Sequence, residues 1–395
     1  MEEKKDSVYF QHLDVFRFVA AFMVVIMHSY DNWKGWFGKP GILTGGTYQE
    51  FTTIGRGIDM LMKNFQFGVD IFFLISGFLI TYLLLREKDR FGKIHIGKFY
   101  VRRILRIWPL YFLAIAIAPL CVAFTDSTPE PNYWANILFY NNFNAIYHNE
   151  WTYPFAHFWS ICIEEHFYLV WPWVIALIPM KKLPHAFFTI FLASIVFRAY
   201  TAFYGEQQWF VYYLHTLSRC DALVIGAFFG YMHFKNPIKL NVPAYIRYLV
   251  YGLFIFTLCM DDMCDWNSLF TIMFKKYFYL GIAAFWMGNY MFNPNAFLTF
   301  KKRSIWHYFG KISYGIYIYH VFIILIVIKR VMIDHNSNNI WIYAALMFSL
   351  SLIIPMISYE LFEKPFLKLK SRFERIKTSQ FGKEKEEPEP KVDSN

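Results

Sequence analysis

LDVFRFVAAFMVVIMHSY, residues 13–30, is mostly apolar yet carries Asp14, Arg17 and His28. With its flanks the run reaches the roughly 20 apolar residues that a membrane-spanning helix needs. An ionisable group inside such a helix is costly, which makes it a functional candidate. Arg17 and His28 are eleven residues apart. At about 100° per residue that spacing overshoots three turns by only about 20°, so both lie on one face, about 16 Å apart along the axis. Asp14, three residues before Arg17, is its expected local partner.

Nine more apolar runs follow, at 67–85, 104–124, 158–179, 185–204, 210–233, 244–260, 269–292, 311–330 and 340–362. Several contain Gly or Pro, which membrane helices tolerate. The expected fold is all-α, a polytopic membrane helix bundle with about ten transmembrane helices. It fills residues 1–375, and 376–395, charged and Pro-containing, read as a disordered cytoplasmic tail. Composition agrees. Of 395 residues 56% are hydrophobic and only 17% charged, against about 25% charged in a soluble domain. The polar N-terminus lacks the pattern of a cleaved signal, so the first run is expected to remain as an anchor. Five cysteines without a C-x-x-C pair indicate neither a zinc site nor a disulfide framework, and no metal is expected.

The net charge of +10 orients the chain rather than binding nucleic acid. Arg86, Lys88, Arg90, Lys93, Lys98, Arg102 and Arg103 crowd the loop after span two, and later even-numbered loops hold Lys181 and Lys182, Lys235 and Lys239, and Lys301 to Arg303. Loops 125–157, 205–209, 261–268 and 331–339 contain no Lys or Arg. The positive-inside rule then puts both termini in the cytoplasm. Loop 33–66 is a partial exception, with Lys34, Lys39, Arg56 and Lys63. The expected location is the plasma (inner) membrane, multi-pass.

Further ionisable residues fall in two layers. Arg103 and Arg106, three apart on one face at the cytoplasmic entry of span three, are either membrane anchors or a bidentate grip on a phosphate. An outer-to-middle layer holds His28, Asp70, Glu164, Glu165, Arg219 and Asp221. Glu164 and Glu165 project about 100° apart, so at most one points fully at any one site. A carboxylate beside His28 would orient its imidazole. Asp70 is a helix-start or a site residue, and Arg219 and Asp221 are either mutual partners or substrate contacts. His320 is read as structural, Ser76 and Gly77 as packing residues. The aromatic loop 125–157, with Tyr133, Trp134, Tyr140, Tyr147 and Trp151, is an interfacial belt or a sugar-stacking platform.

The chain resembles the membrane acyltransferase-3 family over nearly its whole length. The family's LDxxRxxAAxxVxxxH matches Leu13 to His28, GVDxFFxxSGFLI matches Gly68 to Ile80, and RRxxRxxPxY matches Arg102 to Tyr111. WSLxxEExFY matches Trp159 to Tyr168 with Ile161 in place of Leu, SRxDALxxGA matches Ser218 to Ala227, and GxISYxxYxxH matches Gly310 to His320. A closing YExxEKPF matches Tyr359 to Phe366. The resemblance implies transfer of an acyl group, most often acetyl, from cytoplasmic acyl-CoA to a hydroxyl of a surface glycan or lipid-linked saccharide. Acyl-CoA is then a donor substrate, and no bound cofactor is expected. Some relatives carry a fused extracytoplasmic hydrolase-like domain, and here the membrane domain is expected to work alone. On this reading Arg103 and Arg106 bind the coenzyme A phosphates, and Arg17 positions the pantetheine arm or thioester. His28 is the base or a transient acyl carrier, and Glu164 or Glu165 orients it. Asp70, Arg219 and Asp221 contact substrate. The rival reading is a transporter or flippase for a glycan or lipid-linked substrate, which also places charges in mid-membrane.

Overall fold

The computed structural model describes residues 10–39, 53–127, 129–204, 209–259, 269–293 and 304–376, and among them every regular element is helical. The tail beyond 376, the basic trio Lys301 to Arg303 and the 261–268 loop lie outside the described residues. Helix α1 (Gln11–Phe37) stops at Gly38, whose left-handed backbone (φ 59°) returns its N–H to the Lys34 carbonyl. Then come α2 (Thr53–Asn64), α3 (Gly68–Phe91) and α4 (Ile96–Thr125), the short α5 (Tyr133–Ile137) and α6 (Asn141–His148), and α7 (Trp159–Leu177) and α8 (Leu183–Tyr204). The remainder is α9 (Trp209–Leu214), α10 (Thr216–Lys235), α11 (Ala244–Cys259), α12 (Leu269–Phe292), α13 (Ile305–Ile326), α14 (Ile340–Ser358) and α15 (Lys364–Ser371).

Each of the ten predicted runs falls on helix. Among the described residues six helical stretches are long and apolar enough to cross a membrane: His12–Phe37, Gly55–Phe91, Ile96–Thr125, Met180–Tyr204, Ile305–Ile333 and Ile340–Ser371. The other predicted runs are shorter or dilute their apolar residues with charged ones. The run 210–233 is not one helix. It breaks at His215, whose Nδ1 accepts from the Leu217 amide at 3.2 Å and caps α10. Arg219 and Asp221 therefore sit on the first turns of α10 rather than mid-way along a single span.

The segments 33–66 and 125–157, read as loops between spans, each contain helix. In the second, Asn136, Asn141, Asn142 and Asn144 are buried. Of its aromatics only Trp134 and Tyr147 project strongly, while Trp151 packs on Trp209 and Phe210.

The centre of the bundle is α1, α3 and α13. Their most apolar windows are 72% buried within the protein, against 17% for the window of α8 and 22% for that of α14, so the latter two present side chains to lipid. Lipid supplies no hydrophobic drive between helices, so close backbone approach through small residues must hold them. A methyl group on Gly77 would stand 1.8 Å from the Leu223 carbonyl oxygen, and one on Gly226 would stand 2.1 Å from that of Leu74. This reciprocal pair brings α3 and α10 into backbone contact. Gly310, 2.2 Å by the same measure from the Asp14 carbonyl, seats α13 on α1. Gly77 is the packing residue the sequence suggested. Ser76 is not, because its hydroxyl is engaged in the site.

Candidate active site

Three arginines meet where two cavities join. Arg17 comes from α1, and Arg103 and Arg106 come from one face of α4. All three line a cavity that also touches Glu87, Arg102, Lys370 and Glu374. The same three line a second cavity deeper in the bundle, whose polar wall is Ser76, Ser160, Glu164, Tyr168, Ser313, Tyr314 and Tyr317. Its other wall is apolar, including Val69, Phe72, Phe73 and Ile161. The guanidinium layer is the waist between a charged chamber and an inner one whose serine- and tyrosine-lined wall faces an apolar wall.

Charge pairing around the waist is incomplete. Arg17 donates to Asp14 at 3.2 Å, as its spacing predicted. Arg102 pairs with Glu87 at 3.2 Å and Lys370 with Glu374 at 3.1 Å. With those pairs set aside, Arg103 and Arg106 face one lining carboxylate, Glu164. Among the described residues neither arginine forms an ion pair. Arg103 rests against the rings of Phe99 and Tyr168, at 5.6 and 5.7 Å, and its Nε is buried without a partner. A guanidinium pair that forms no ion pair, with the Arg103 Nε buried and unpartnered, is a site for an anion, since burial without a partner is expensive.

The structure places the two α7 carboxylates differently. Glu164 lines the inner chamber and accepts from Ser76 Oγ at 2.6 Å, with Tyr168 donating to Ser76 Oγ at 3.2 Å. Glu165 accepts from Trp108 Nε1 at 3.1 Å, and its other oxygen is buried without a partner. Neither bonds His28, contrary to the expectation of a carboxylate on that imidazole. The reason is topological. Helix α7 turns these residues toward α3 and α4, whereas Gly310 brings α13 against α1.

The partner of His28 is therefore on α13. His28 Nδ1 lies 2.8 Å from His320 Nε2, with the rings stacked at 17°. His320 Nδ1 is 2.6 Å from the Tyr317 carbonyl. The Tyr317 side chain faces the inner chamber and meets Ser160 Oγ at 2.5 Å. His28 and His320 line neither cavity themselves, and the pair backs onto Tyr317, a wall residue of the inner chamber. His157, which the sequence did not single out, packs its ring 4.6 Å from that of His320. Its signal was faint, a lone His in an aromatic loop just ahead of α7.

Asp70, Arg219 and Asp221 line neither cavity. Arg219 pairs with Asp70 at 3.5 Å and is covered by the rings of Phe73, Trp159 and Tyr213. Asp221 accepts from Lys276 at 2.6 Å and lies 3.7 Å from Arg198. Lys276 and Arg198 are each a cation inside an apolar run and carry the same signal in the sequence as Arg17. This cluster ties α8, α10 and α12 together. Lys276→Met should strip Asp221 of its closest cation and destabilise the fold by roughly 3–5 kcal/mol. Adding Asp221→Asn should recover most of that loss. A thermal-unfolding cycle in detergent checks it, and a fully additive cycle would show that the two residues are uncoupled.

Residues 10–360 match a protein-family model described as an acyltransferase domain. The chain is 24% identical over 389 residues to a Staphylococcus aureus (strain COL) protein whose O-acetyltransferase name is provisional, covering 92% of this chain and 58% of that one. It is 26% identical over 323 residues to the provisionally named peptidoglycan O-acetyltransferase YrhL of Bacillus subtilis (strain 168), covering 75% and 50%. It is 26% identical over 334 residues to the peptidoglycan O-acetyltransferase OatA of Listeria monocytogenes serovar 1/2a, covering 76% and 51%. The chain thus spans about half the length of the curated relatives it matches. No solved structure matches it.

Proposed function

This chain belongs to the family of acyltransferase domains matched by residues 10–360, and we propose that it is an integral membrane O-acetyltransferase. The observation that carries the proposal is the Arg103–Arg106 pair at the waist between the two chambers, which forms no ion pair among the described residues. In this reading the donor is acyl-CoA, entering from the cytoplasmic side, where the loop charge puts both termini. Its phosphates engage Arg103 and Arg106, bonds that guanidinium forms bidentately and strongly. The slender pantetheine arm passes Arg17, and the thioester reaches the inner chamber, whose apolar wall excludes water. The acceptor is a hydroxyl of a glycan or lipid-linked saccharide. Peptidoglycan, named for two of the relatives, is the first acceptor to test.

His28 acts as general base on that hydroxyl. Glu164, held by Ser76, stands on the chamber wall between the arginines and the serine–tyrosine network, where it can orient donor or acceptor. Asp70, Arg219 and Asp221 act by holding α3, α8, α10 and α12 in place rather than by touching substrate.

Arg103→Ala with Arg106→Ala tests the donor site. Each charge-assisted hydrogen bond contributes about 1.5–3 kcal/mol, so loss of both should raise the donor Kd or KM at least tenfold. Labelled acetyl-coenzyme A binding to the reconstituted protein measures it. Unchanged donor affinity returns both arginines to simple membrane anchoring. A flippase on the same scaffold would move its saccharide without consuming labelled donor, so the same assay separates the two classes.

A further inference from the structure

We propose that His320 is a positioning residue that sets the tautomer of His28, through a hydrogen-bonded chain that ends on a backbone carbonyl instead of a carboxylate. The inference rests on the reading of His28 as general base and adds how that base is prepared.

One atom of the hydrogen-bonded chain has a fixed role. A carbonyl oxygen can only accept, so the 2.6 Å contact with the Tyr317 carbonyl puts a hydrogen on His320 Nδ1. A neutral imidazole carries one hydrogen, which leaves a lone pair on His320 Nε2. At 2.8 Å from that lone pair, His28 Nδ1 must donate. His28 Nε2 is then the unprotonated nitrogen, ready to take a proton. The opposite polarity would need a protonated His320. His320 is fully buried, and among the described residues no carboxylate bonds either imidazole, so a cation there would be uncompensated.

The segment bearing the anchoring carbonyl is itself held. Tyr317 OH donates to the His157 carbonyl at 3.0 Å, and His157 Nε2 lies 3.2 Å from the Ile318 carbonyl. The His157 ring closes the remaining side of His320. His28 is partly exposed, whereas His320 and His157 are buried. The partly exposed His28 is the histidine that reacts, and the buried His320 and His157 support it.

During transfer the acceptor hydroxyl gives its proton to His28 Nε2 as its oxygen bonds the thioester carbonyl carbon. The resulting imidazolium keeps its Nδ1–H on His320 Nε2, which spreads and stabilises the charge. Collapse of the tetrahedral intermediate breaks the C–S bond, and the departing thiolate takes the proton from His28 Nε2. The products are the ester and free thiol, with His28 returned to its starting tautomer.

The test uses the full chain in lipid nanodiscs with labelled acetyl-coenzyme A. His320→Ala removes the acceptor, while His320→Gln replaces the ring nitrogen with an amide oxygen that can accept from His28 Nδ1. The expected result for His320→Ala is a fall in kcat of roughly 10²-fold with donor KM almost unchanged, the mark of an interaction made in the transition state. His320→Gln should recover at least about tenfold of that loss. His320→Met, of similar length and without an acceptor of this strength, keeps the comparison valid if the alanine variant fails to fold. The inference is overturned if the non-accepting variants keep near-parental kcat, or if Gln is as impaired as they are while remaining folded. His28→Ala run alongside separates the two layers. Activity in His28→Ala removes the base reading itself, whereas a dead His28→Ala with active His320 variants removes only the positioning role.

Discussion

His28→Ala is expected to abolish acyl transfer while leaving the protein inserted, folded and able to bind donor. A positioned general base contributes roughly 10²–10⁴-fold, and His28 is the imidazole whose Nδ1 is held by His320. Its loss costs little packing. Helix α1 stays seated by Gly310 against Asp14 and by Gly68 against Ala20, contacts that do not involve the imidazole. Arg103 and Arg106 are on α4 and line both chambers, so donor KM should hold as kcat falls. Transfer from labelled acetyl-coenzyme A, with a thermal-unfolding control, decides it. Near-parental activity in a folded His28→Ala protein would require another base and end this mechanism.

The largest structural effect is expected from Gly77→Val. Its first added carbon would sit 1.8 Å from the Leu223 carbonyl oxygen, far inside van der Waals contact, and the obstacle is backbone. Overpacking usually costs 1–3 kcal/mol when side chains can yield. Here two helices must separate, so the loss should exceed about 3 kcal/mol and show as failed assembly or aggregation in detergent. Gly281→Ala is the control, since nothing lies within 4 Å of an added carbon there. Equal folded yields for the two variants would mean that α3 and α10 do not meet through their backbones. Ser76, which holds Glu164, immediately precedes Gly77 on α3, so a Gly77→Ala protein, which adds that same first carbon, should lose activity even where it folds.

Much of the site was legible because charge in an apolar run is hard to explain otherwise. Arg17, Arg103, Arg106 and Glu164 were marked by that signal, and the structure brings all four onto the wall of one chamber. Lys276 and Arg198 carried the same signal and escaped because they sit in runs that matched no chemical expectation. His320 was read as structural for want of a visible partner. Sequence distance hid that partner, since its contact with His28 spans 292 positions. Helical periodicity orders residues on one helix and says nothing of which helices are neighbours.

By itself the sequence determined an all-helical chain with buried ionisable residues, the pairing of Arg17 with Asp14, and the shared face of Arg103 and Arg106. These depend on composition and on a 3.6-residue repeat, which any single helix obeys. The tertiary structure alone decided that Asp70 and Arg219 pair between helices, that Glu164 and Glu165 answer to Ser76 and Trp108, and that His28 turns to a second histidine. Those outcomes depend on which backbones can approach closely. Glycines on α3, α10 and α13 set that approach, and the residue facing each glycine is known only once the helices are packed.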